Sequence, residues 1–302
     1  MQICCLLIHL QFKQMKMKKT TLIILGILTG TFAFSQNAAV KLINPGKIQL
    51  RNGQKIIASN NITIEADMGM GMQLNSNSTT ENNLEVKNST DKDYTITSTL
   101  TKLKVDFSMA GQSTNYDSEK NTTPTSDIEK TFSERLNKPV DVILNNTTGT
   151  AALKDKKEKK EGDEDENPMA GLMNSFAESS DDAVVSGAFE LVPAGKNIGD
   201  SWSDTTKTKE MTTIRTYTLK SVAGNDAVIQ LDAVTTASNK LDFQGMEFEF
   251  KSTTKSTGEI TTDINTGQIK SKNTKADING TIQLMGQDMP VTAKVSSTGT
   301  YK

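Results

Sequence analysis

Histidine and cysteine are nearly missing from this chain of 302 residues: the one histidine is His9 and the two cysteines are Cys4 and Cys5. Everything after position 9 therefore lacks the side chains that most often serve as general base, thiol nucleophile or soft metal ligand, and it has no thiols to pair as disulfides. Aromatic residues make up 5% of the chain, with Trp202 the single tryptophan, so platforms for stacking sugars or bases are sparse. Neither sign of charge dominates, with 34 basic against 36 acidic residues. The basic residues are not gathered into a patch, which leaves nucleic-acid binding without support.

What is present begins with a leader. Lys16, Lys18 and Lys19 precede an apolar run from Thr20 to Phe34, which closes on Ala33-Phe34-Ser35. A basic start, a run shorter than the roughly 20 residues of a membrane span, and small residues at −3 and −1 read as a signal peptide over residues 1–35. Met15 or Met17 is a more natural start than Met1. No cysteine follows the run to take a lipid. The leader holds four of the basic residues and none of the acidic ones, so residues 36–302 carry a net charge of −6. The expected location is periplasmic or secreted, with no transmembrane segment once the leader is cleaved.

Residues 36–302 read as a single β-rich domain, with β regions at 40–120 and 205–302 flanking a helix-containing segment at 124–200. From Ile62 to Leu74, apolar Ile62, Ile64, Ala66, Met68, Met70, Met72 and Leu74 alternate with polar residues or glycine. This predicts one long strand with a single apolar face, about 43 Å at 3.3 Å per residue. Further alternating runs follow at Leu103 to Met109, Val140 to Leu144, Ile229 to Ala233, Met246 to Phe250, Ile278 to Leu284 and Val291 to Val295. Asn52-Gly53, Gly224-Asn225-Asp226 and Asp263 to Gly267 are turn signals. Ser126-Asp127-Ile128-Glu129 has the form of a capping box, with Ile128, Phe132 and Leu136 on one helical face until Asn137 and Pro139 end it. Residues 154–168 hold a basic half, an acidic half and almost no apolar side chain, so they predict a solvated, disordered loop. Asp163 to Glu166 within it lack the spacing of a calcium loop. Pro168 opens a second helix, with Met169, Leu172, Met173 and Phe176 at i, i+3, i+4 and i+7. The fold class is mainly β: a large curved antiparallel sheet, half-barrel-like, covered by one or two helices.

Gly199-Asp200-Ser201-Trp202-Ser203, approached from Pro193 and Gly195 and followed by the Asp263 to Gly267 turn and long one-sided strands, resembles a family of secreted Bacteroidota proteins that is a domain of unknown function. More distantly, the long strands with helices between them are similar to half-barrel lipoprotein carriers of the LolA/LolB type. That second likeness implies an apolar concavity, while fold by itself does not imply function.

Met68, Met70 and Met72 could hold copper(I) through thioethers, but they continue an apolar stripe, for which adaptable packing is the plainer account. A methionine-rich face also suits acyl chains. The sequence therefore points to a non-enzymatic envelope protein, without cofactor or metal, that binds an apolar or lipid-like ligand between Met68, Met70 and Met72 on the strand and Leu172, Met173 and Phe176 on the second helix. The competing reading is a structural or partner-binding envelope protein with a filled core.

Overall fold

The computed structural model describes residues 46–302 apart from 68, 70, 72, 110, 121–122, 125, 156–180, 244–245 and 285–286. The expected long strand from Ile62 to Leu74 is instead a hairpin. β1 (Lys55–Asp67) ends before the methionines, the chain reverses, and β2 (Gln73–Ser89) returns with Asp67 opposite Gln73 and Ala66 opposite Leu74. Gly69 and Gly71 both have φ of 76°, a left-handed conformation that glycine adopts at little cost. Met-Gly-Met-Gly-Met repeats every second residue and so imitates strand alternation while carrying the turn.

The chain continues through β3 (Asp93–Met109), β4 (Gln112–Asp117), α1 (Asp127–Arg135), β5 (Pro139–Asn145), β6 (Ala151–Leu153) and α2 (Asp181–Ser186). Six more strands follow: β7 (Ser201–Lys207), β8 (Met211–Ala223), β9 (Asp226–Phe243), β10 (Met246–Asp263), β11 (Ile269–Leu284) and β12 (Gln287–Tyr301). All pair antiparallel in one open sheet of twelve strands, in the order β6-β5-β3-β2-β1-β12-β11-β10-β9-β8-β7, with β4 also paired to β3. β1 and β12 meet in the middle over ten residue pairs, from Ala58 opposite Tyr301 to Asp67 opposite Thr292. The mainly β, antiparallel class is the one the alternation predicts.

The sheet is curved, because one buried cluster contains Tyr94, Ile96, Val142 and Leu144 from one wing together with Tyr217, Leu219 and Ile229 from the other. A flat sheet would hold these strands far apart. Val185 of α2 and the following Ala188, Phe189 and Val192 fill the concavity between the wings. Ile48 to Leu50 closes it from below: the Ile48 amide donates to the Asn146 carbonyl at 2.6 Å and the Gln49 amide to the Thr266 carbonyl at 3.1 Å.

α1 forms where the capping box predicts. The Glu129 amide donates to the Ser126 hydroxyl at 3.2 Å, Phe132 is fully buried against Tyr116 with ring centroids 5.3 Å apart, and Asn137 ends the turn at φ 58°. The second predicted helix, from Pro168, and most of the charged loop lie outside the described residues.

The outer face is polar. Glu65, Lys294, Asp277 and Lys255 lie opposite one another across β1, β12, β11 and β10, all exposed. The same row continues through Val234 and Ile214, which are exposed apolar side chains, so the charged stretch covers the middle of this face and gives way to apolar residues toward β8. No helix among the described residues is long and apolar enough to cross a membrane.

Candidate functional site

The six residues expected to form a binding face, Met68, Met70, Met72, Leu172, Met173 and Phe176, lie outside the described residues. What the structure does place is the inner face of the β7–β12 wing. Directly paired residues of antiparallel strands share a face, so rows can be read across the sheet. One row runs Ser297, Thr274, Gly258, Leu231, Tyr217 and Trp202; the next runs Val295, Ala276, Ser256, Ala233, Arg215 and Asp204. Short side chains pave the centre of this floor, and Thr274, Ala276, Ser256 and Ala233 are all buried.

Set into this face is a line of ionisable groups. Arg215 Nη1 donates to Asp204 Oδ1 at 2.7 Å and to Thr206 Oγ1 at 3.1 Å, and the Tyr217 hydroxyl donates to Asp204 Oδ2 at 3.2 Å. Glu190 leaves the segment after α2, which is pinned by the Glu190 amide donating to the Gly267 carbonyl at 2.8 Å and by Thr262 Oγ1 donating to the Glu190 carbonyl at 2.9 Å. Its carboxylate interacts with Tyr217 and Lys272. Lys272 lies between Ile260 and Gly299, both buried on the inner face. The line runs from Lys272 within the concavity, through Glu190 and Tyr217, to Asp204 on the edge strand β7.

Burial sets the protonation of this line. It pushes the Glu190 carboxyl up to about 7, although Lys272 works in the opposite direction. It also lowers the Lys272 ammonium, with Glu190 opposing, and raises the Tyr217 phenol well above its usual range, helped by Glu190 and Asp204. Lys272 is in no ion pair with a described residue; its attraction to Glu190 acts over a longer distance. Trp202 is half-buried: it stacks on Tyr217 at 5.5 Å and 11° on the exposed edge.

Sequence reasoning missed this line. Arg215 was legible, since Met211, Thr213, Tyr217 and Leu219 share its parity and are buried. Lys272 was legible too, since it keeps the parity of Thr274, Ala276, Ile278 and Ile282 with no irregularity between them; the bulge at Lys270, where Thr261 faces Ser271 but Thr262 faces Ile269, lies before it and brings Ile269 onto the same face.

The outer face carries a second concavity, a groove of about 450 Å³ lined by Thr63, Glu65, Asn75, Asn77, Asp106 and Asn115, among others. Among the described residues no three His, Cys, Asp or Glu side chains gather as a metal site would.

The family of unknown function DUF6263 matches residues 91–269, from the start of β3 to the start of β11. The chain belongs to that family. The matched stretch includes Gly199 to Trp202, Glu190 and Arg215 and stops three residues short of Lys272. No curated protein matches the chain. Among solved structures, lipovitellin, described for its lipid–protein interactions, is 11% identical at a TM-score of 0.47 over 84% of this chain and 25% of its own. An outer membrane channel from Pseudomonas putida F1 is 10% identical at 0.25 over 86% and 100%, and DynF of the dynemicin pathway of Micromonospora chersina is 9% identical at 0.23 over 91% and 94%. The chain thus spans about a quarter of the length of lipovitellin.

Proposed function

We propose that this protein is an exported, non-enzymatic binding protein of the cell envelope that takes a lipid-like amphiphile on the inner face of its half-barrel. The observation that carries the reading is the make-up of that face: a floor of Gly, Ala, Ser and Thr beside a line of charged groups that leads to the open edge at β7. Thr274, Ala276, Ser256 and Ala233 are each at most 5% exposed, so this floor of short side chains is covered, and a polar line at one side of an apolar interior fits a ligand with a chain and a head. The absence of His and Cys beyond position 9 supports a role in binding over one in catalysis. The basic, apolar and small-residue succession in residues 16–35 supports export.

The structural reading keeps one observation in its favour. At the α2 end the core is filled, with Ile56, Leu84, Ile96, Leu144, Leu219 and Ile260 each at most 1% exposed. Native mass spectrometry of protein taken from its own envelope, beside titration with a fluorescent fatty acid, separates the two. A lipid adduct and saturable probe binding are expected. A bare mass and no binding would leave the filled-core, structural protein. N-terminal sequencing of the same sample should begin at Gln36.

A further inference from the structure

We propose that β7 is a self-pairing edge, at which a second copy of this chain adds its own β7 antiparallel across a two-fold axis through Thr205, so that the two sheets of a dimer run on into one another. The inference concerns the free side of the sheet and does not depend on the ligand reading.

Backbone geometry sets which groups are free. Among the described residues β7 pairs with β8 alone. The Leu219 amide donates to the Asp200 carbonyl at 3.0 Å and the Thr208 amide to the Met211 carbonyl at 2.8 Å, so the even-numbered residues of β7 turn their backbone groups toward β8. Ser203, Thr205 and Lys207 turn theirs outward, and all three are exposed. Ser201 does likewise, but Lys196 Nζ donates to its carbonyl at 2.8 Å. An edge with free backbone groups is a template for another strand, and a lysine is one of the devices that blunt it. Here the lysine closes the Ser201 end and leaves Ser203 to Lys207 open.

Side chains on the two faces select the partner and the register. On the outer face Thr205 lies opposite Ile214, and Ile214 opposite Val234. Ile214 and Val234, at 50% and 45%, are the most exposed of the large apolar side chains among the described residues. Directly opposed residues of antiparallel strands share a face, so odd-numbered residues of β7 must meet odd-numbered ones. With Thr205 on the axis, Thr205 meets its own copy, Ser203 meets Lys207 of the second copy, and the two rows of Val234, Ile214 and Thr205 join end to end as one apolar stripe. On the inner face the exposed Asp204 then stands opposite Thr206 of the second copy, the hydroxyl that Arg215 of that copy already reaches. Each Asp204 carboxylate is thereby brought to the other copy's guanidinium, which commits only Nη1 to its present bonds. Neighbouring registers fit worse. An axis through Asp204 sets two carboxylates against each other, and one through Ser203 needs the carbonyl that Lys196 holds. An axis through Thr206 sends Ser203 past the end of β7, to Lys209. Pairing of β7 with a different edge of the next molecule would propagate, whereas pairing with itself closes.

The test uses protein comprising residues 36–302, which has no cysteine. Sedimentation velocity from about 1 to 100 µM is expected to show a species of twice the monomer mass whose share rises with concentration. Thr205→Pro removes an outward N–H that β8 does not use, so it should give a monomer that still melts cooperatively. Ile214→Lys, on the exposed row, should weaken association about tenfold with the melting temperature of the monomer little changed. Thr205→Cys should form an inter-chain disulfide under mild oxidation, since residues opposed on the axis lie about 5.5 Å apart at Cα. Lys275→Cys, on the outer face away from the edge, should stay reduced. A monomer at every concentration would overturn the proposal. So would a dimer that survives Thr205→Pro and leaves Thr205→Cys reduced, because its interface would lie elsewhere.

Discussion

Single residues decide where this fold is stressed. The Tyr116 hydroxyl is buried without a hydrogen-bond partner among the described residues, beside the ring of Phe132. Since an unpaired buried hydroxyl costs about 1–3 kcal/mol, Tyr116→Phe should leave the protein as stable or raise its unfolding free energy by about 1 kcal/mol in urea titration. Glu190 gives a pH dependence of defined sign. Its folded-state pKa, about 7, lies above its ordinary value of 4.5, so the folded state holds a proton that the unfolded state has released. Stability from this group is full below about pH 4.5 and is lost as pH rises toward 7. Melting temperatures across that window should fall in the parent and fall less in Glu190→Gln. Trp202 stacks on Tyr217 at the edge of the core. A half-buried ring is worth less than a core one, and Trp202→Ala should cost about 2 kcal/mol with an indole emission between buried and exposed.

At the scale of elements, turns and caps determine the boundaries. Gly69 lies at φ 76°, and a Cβ there would sit 3.1 Å from the Pro290 carbonyl oxygen, so Gly69→Val should destabilise the β1–β2 hairpin. Hydrogen exchange of the β1–β2 and β1–β12 amides should rise first near Asp67. The Ser126 cap of α1 predicts a loss of about 1 kcal/mol for Ser126→Ala, with Ser126→Asp close to the parent. Much of this scale is legible in sequence. Asn52-Gly53, Gly224 to Asp226 and Asp263 to Gly267 turn where their chemistry says, the last held by Asp263 Oδ1 accepting from the Asn265 and Thr266 amides at 2.9 Å each. The Met68 to Met72 stretch misleads for a physical reason: glycine is both a residue with no outward side chain and the residue that permits a reversal, and alternation alone does not separate the two.

For the whole molecule the seam between β1 and β12 is decisive. Ile57 and Lys302 exchange two backbone hydrogen bonds, at 2.7 and 3.0 Å, across a sequence separation that spans the domain. Joining strands so distant makes folding slow, and refolding is expected on the order of seconds in stopped-flow fluorescence. Deleting residues 296–302 removes six of the ten β1–β12 pairs, and the truncated chain should lose cooperative unfolding.

Local chemistry in the chain determines the β class, the strands that alternate without a bulge, the first helix with its cap, and the turns built on Asn, Asp and Gly, because each follows from neighbours a few residues apart. Tertiary structure decides three things. The first is which strands meet, since β1 and β12 find each other through curvature that brings both wings around one core. Next is the face Ile269 occupies, since the bulge at Lys270, set by pairing with β10, breaks its parity with the rest of β11. Last is the environment of Glu190, whose burial and distance from Lys272 depend on strands far away in the chain and give an ordinary carboxylate its pKa near neutrality.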